Sequence, residues 1–94
     1  MLGEPTMADD WEDFLVQLRL DIKSRVKDQL ERHQRVSPNI DPRQVIDIQI
    51  SQEKERLERI ADKLDEDGED RGAAVTRALI EEWLPWLALS IKRP

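Results

Sequence analysis

The stretch Ile40-Asp41-Pro42-Arg43-Gln44-Val45-Ile46-Asp47-Ile48-Gln49-Ile50 decides the fold, because two incompatible patterns overlap in it. Its second half, from Val45 to Ile50, is β-branched and alternates apolar with polar residues, as an edge strand does. Its first half is a helix start. Asp41 suits the N-cap, Pro42 the first helical position and Gln44 the third, which is a variant of the capping box. Ile40 before the cap and Val45 four positions inside it have the spacing of a hydrophobic staple. A lone strand has nothing to pair with inside this chain unless two subunits pair theirs. The cap signature therefore predicts a helix here.

Downstream, Ile46, Ile50, Glu53, Leu57, Ile60 and Leu64 recur at spacings of four and three, a coiled-coil-like seam interrupted once by Glu53. Upstream, Trp11, Phe14, Leu15, Leu18, Ile22, Val26 and Leu30 keep to one face of a first helix. Asp9 or Asp10 is expected to cap it, with Glu12 and Asp13 in its first turn and bases later, the order that the helix dipole favours. Ser37-Pro38-Asn39 ends it, because a residue before proline avoids helical dihedrals. Gly68, inside the acidic run Asp65–Asp70, is a natural terminator for the second helix. A third helix is predicted from about Asp70 through Val75, Ala78, Leu79, Glu82 and Trp83. Pro85 removes a backbone donor, so a kink or break is expected near Trp83–Leu84, with a short helix continuing to Ile91.

The 94 residues allow one domain, or less than one if the chain completes its fold only with a partner. The expected fold is all-α: an antiparallel three-helix hairpin or bundle with a Pro-kinked C-terminal helix, completed by oligomerisation because its core is thin. A flexible N-terminus is expected over 1–8, and a single helical domain over 9–94 with helices at about 9–36, 41–66 and 70–92.

Composition excludes much chemistry. With no cysteine there is no disulfide or Cys-based metal site, and with one histidine no two-histidine metal pattern. Three glycines, Gly3, Gly68 and Gly72, cannot build a Gly-rich phosphate loop. Aligning Gly68 to the sixth position of a calcium loop puts Lys63 and Ala74 where carboxylates are required. Glu55 and Glu58 resemble half of a paired-carboxylate magnesium site, but no second pair sits on another helix, and Glu53 and Asp62 do not supply one. His33, at the edge of the apolar stripe, reads as a boundary residue. No enzyme, no cofactor and no metal site is expected. Met1–Met7 is short and polar, without a signal-peptide pattern, and no apolar run is long enough to span a membrane, so a cytoplasmic location is expected.

Three surfaces invite contact. Nine of the thirteen residues from Leu79 to Ile91 are apolar, and beyond Trp83 they surround the helix. Trp83, Leu84, Trp86, Leu87 and Leu89 are the expected partner-binding residues, with Trp11 and Phe14 as counterparts at the start of the first helix. Those aromatics would lie a helix length apart within one subunit, and an antiparallel two-fold dimer would join them. The competing reading has Pro85 fold the segment back as a lid. Adsorption to a membrane surface through the Trp pair and Lys92-Arg93 is opposed by Glu81 and Glu82. The second surface is basic: Arg19, Lys23, Arg25, Lys27, Arg32 and Arg35 would serve a nucleic-acid-associated regulator, although Asp21, Asp28 and Glu31 interrupt them. The third is acidic, Glu4–Asp13 and Asp65–Asp70, and would suit a nucleic-acid mimic. The leading expectation is a non-enzymatic adaptor, assembly or regulatory protein that docks onto itself or a protein partner.

Overall fold

A computed structural model describes residues 7–93 of the chain. The order is α1 (Met7–Val36), α2 (Pro42–Glu66), α3 (Asp70–Ala78), a π-helical turn (Leu79–Trp83) and α4 (Leu84–Lys92), with no strand among the described residues. The fold is all-α, and Val45–Ile50 lies inside α2. The strand pattern loses because the helix start is realised as written. Asp41 adopts an extended backbone (φ −74°, ψ 115°), and its Oδ1 accepts from the Arg43 amide at 3.0 Å, with Pro42 in the first turn. The cap takes Arg43 rather than reciprocating with Gln44. α1 begins at Met7, so Asp9 and Asp10 fall within the helix and not at its cap. Residues 1–6, most of the segment expected to be flexible, lie outside the described residues.

The acidic turn is a Schellman motif. The Glu69 amide donates to the Leu64 carbonyl at 2.8 Å and the Gly68 amide to Asp65 at 3.0 Å. Gly68 sits at φ +80°, the left-handed region that a side chain disfavours. Three residues therefore turn the chain back sharply. Four cross-helix pairs fix an up-down-up arrangement: Arg25 with Glu53, Lys92 with Asp47, Arg77 with Asp65, and the Trp11 ring against Gly72. α2 thus runs antiparallel to α1 and to the third rod, which run parallel to each other.

The core is a narrow seam. Ile22 and Val26 of α1, Leu57 of α2, and Leu79, Leu84 and Leu87 of the third rod are fully buried together, with Leu15, Leu18, Ile50, Ile60, Ile80, Trp83 and Ile91 around them. The expected break at Trp83–Leu84 takes a different form. Trp83 and Leu84 keep right-handed helical dihedrals, and the Leu84 amide donates five residues back, to the Leu79 carbonyl. Leu79 and Leu84 are also five residues apart, so the wide turn re-phases the helix and lets both face the core. Pro85 then falls in the first turn of α4, where a missing donor costs least. Because the rod stays helical, the segment does not fold back as a lid.

Candidate functional site

Helix α2 packs along both of its neighbours, whereas α1 and the third rod meet closely only near their starts. There the Trp11 ring lies on Gly72 and stacks edge-on with Phe14, with centroids 5.3 Å apart at 85°. A Cβ on Gly72 would stand 2.7 Å from Cζ2 and Cζ3 of the indole. Beyond this contact the two rods part, and an open groove runs between them. Its first hollow, about 430 Å³, is walled by Leu15 and Arg19 of α1 and by Leu79, Glu82, Trp83 and Trp86 opposite. Its second, about 540 Å³, continues past Trp86 between Lys23, Lys27 and Leu30 on one side and Leu87, Ser90 and Ile91 on the other. Trp86 belongs to both hollows.

The predicted partner-binding residues divide. Leu84 and Leu87 are 2% and 0% exposed, so the chain's own core occupies them. That corrects their placement on a contact surface. An apolar helix here is not uncovered on every side, because α2 takes one flank. Trp83 is half-buried against the core with an edge in the groove. Trp86 is 55% exposed and Leu89 64%. Trp11 and Phe14 are half-buried within the chain. The helix-length separation expected for the aromatics is also too large: Leu15, four residues past Trp11, already lines the same hollow as Trp83 and Trp86.

The basic residues divide as well. Arg19, Lys23 and Lys27, at steps of four, form a row along the α1 wall of the groove, with Glu82 and Glu31 as the acids nearby. Arg25 points the other way, to α2, where its Nε and Nη2 donate to the two carboxylate oxygens of Glu53 at 2.9 and 2.7 Å. Glu53 is 3% exposed, and Arg56 approaches it at 3.6 Å. Hydrogen bonding to Glu53 raises the Arg25 pKa above its already high value, against the opposing effect of burial. Arg32 pairs with Asp28 at 3.3 Å, and Arg35 is exposed near the end of α1. The six bases do not share a face. The acidic turn is partly neutralised too, since Arg77 reaches Asp65 at 2.6 Å and Asp62 at 3.1 Å, and Lys63 lies 3.8 Å from Asp67.

Comparison with protein-family models, curated proteins and solved structures found no match.

Two exposed apolar residues outside the predicted set lie on the flank of α1 next to that groove by helical spacing. Val16 and Leu20, off the core stripe, are 45% and 57% exposed. Helical spacing puts Leu20 beside Val16 (four apart) and Lys23 (three apart), on the flank that borders the groove. Exposed apolar residues on both banks were the missed signal. The partners of Glu53 and Gly72 escape a local reading for another reason, since each answers to a residue on a different helix.

Proposed function

We propose that this chain is a non-enzymatic docking protein and that the groove between α1 and α4 receives a helix, from a second copy or from a protein partner. The observation that carries this reading is one open groove with Trp86 on one bank and Leu15 and Leu30 on the other, to which helical spacing adds the exposed Val16 and Leu20. Fully burying a Leu- or Val-sized side chain is worth about 1.5–3 kcal/mol, and Val16 and Leu20, at 45% and 57% exposed, forgo about half of that each. A wide, half-buried aromatic beside aliphatic residues is the composition of an interface anchor. The two hollows together follow the axis of α1, so an elongated apolar occupant fits them better than a compact one. The rigid Trp11–Gly72 contact and the Schellman turn hold the two banks at a set spacing.

Photo-crosslinking tests it. Benzoylphenylalanine replaces Trp86, or replaces Gln52 on α2 as the control, and adducts are sought in cells and with the purified chain. Docking predicts adducts from position 86 that disappear with Leu20→Asp and are absent from position 52. Equal labelling at both positions, or none at position 86, refutes a docking groove.

A further inference from the structure

We infer that the occupant of the groove is α1 of a second copy of this chain, lying antiparallel about a two-fold axis; this rests on the docking reading above. The argument is one of charge order along a single helix flank. The exposed acids Glu12 and Asp13 come first on α1, the exposed apolar residues Val16 and Leu20 follow, and the exposed bases Lys23 and Lys27 come next, with Glu31 one turn beyond them. Reversing a second α1 against the first lays each acid pair on the other copy's lysine pair and matches the apolar centres. A parallel copy would instead set acids on acids and lysines on lysines, a repulsive arrangement.

The groove's own lining agrees with this orientation. Lys23 and Lys27 stand on its wall next to Trp86, so an incoming helix must offer apolar groups to the indole and carboxylates to the lysines. At the start of α1, Glu12, Asp13 and Val16 supply that combination on one exposed flank, while Phe14 and Leu15 are engaged in the chain's own packing. Lys23 and Lys27 form no ion pair among the described residues, so two exposed lysines stand against the one acid, Glu31, that lines the hollow with them. Arg19 shares the first hollow with Glu82, and the two lysines share the second with Glu31, without an ion pair among the described residues in either. A two-fold contact is isologous, so one set of residues fills both grooves at once and the assembly closes at two subunits.

The test uses charge reversal. The variants Lys23→Glu/Lys27→Glu and Glu12→Lys/Asp13→Lys are made in the full chain, checked for unchanged helicity by circular dichroism, and followed by sedimentation equilibrium over a dilution series. Wild type should rise from 11.0 kDa toward twice that mass, while each variant alone should need at least tenfold higher concentration to do so. Mixing the two variants should restore association, because acids then face lysines at both ends of the mixed pair. Variants that associate as wild type does, or a mixture no heavier than its components, would overturn the antiparallel pairing. A wild type that stays monomeric while position 86 crosslinks a different protein would overturn the second copy but leave the docking groove standing. A monomer with no adduct would end both.

Discussion

Removing either end of the Arg25–Glu53 pair should have very different consequences. Arg25→Met strips the Glu53 carboxylate of two charge-assisted hydrogen bonds while leaving it 97% enclosed, with only the more distant Arg56 to answer it. Orphaning a buried partner costs about 3–5 kcal/mol; with Arg25 itself 39% exposed and Arg56 at hand, a loss of about 2–4 kcal/mol follows. Glu53→Met acts in the other direction. It restores an apolar residue to a seam position of α2, and the guanidinium left behind turns to water through its open side. The net change should stay within about 1 kcal/mol of zero, as when buried ion pairs are replaced by apolar groups. The double variant Arg25→Met/Glu53→Met should then be more stable than Arg25→Met alone. Urea unfolding followed by far-UV circular dichroism measures all four proteins. A chain of this size has roughly 5–14 kcal/mol in total, so the larger loss moves the midpoint unmistakably. If Glu53→Met destabilises as much as Arg25→Met, the carboxylate contributes more than it costs and the reasoning fails.

Two further outcomes follow from the helix contacts. Gly72→Ala gains helix propensity, up to about 1 kcal/mol, but drives a Cβ into the Trp11 ring, so it should destabilise the wild type and red-shift its tryptophan emission. In a Trp11→Ala background the same substitution should stabilise; an unchanged sign in a double-mutant cycle by thermal unfolding would dismiss the clash. Pro85→Ala should leave the wide turn in place, because Leu79 and Leu84 must both stay buried five residues apart. A through-hydrogen-bond NMR coupling from the Leu84 amide reads this directly: the acceptor should remain the Leu79 carbonyl, and a switch to Ile80 would mean that the proline, not the core, imposes the turn.

The local punctuation of the fold was readable residue by residue. Asp41-Pro42 opens α2 and Gly68 closes it because caps depend only on neighbours within a turn. The seam of α2 was equally plain, since a buried face needs only the right period. What escaped depends on register between helices. Equal steps from the loop centre at Asn39 place Glu53, fourteen residues on, opposite Arg25, fourteen residues back, so the partner was legible only once the hairpin was assumed. Gly72 has no reason in its own neighbourhood of sequence, because that reason, the Trp11 ring, lies on another helix. At Pro85 the spacing of five between Leu79 and Leu84 competed with the better-known effect of proline, and the spacing decided the geometry. The groove was half visible. Trp86 and Leu89 stood out in an apolar run, whereas Val16 and Leu20 were passed over because they fall off the core stripe.

The mass of the unmodified chain in solution, measured by sedimentation equilibrium from dilute to concentrated protein, tests the docking of a second copy most directly. Closure of the α1–α4 groove by that copy requires the mass to climb from 11.0 kDa toward twice that value, with Trp86 emission shifting to the blue in step. A constant 11.0 kDa with unchanging emission across the whole range would contradict it.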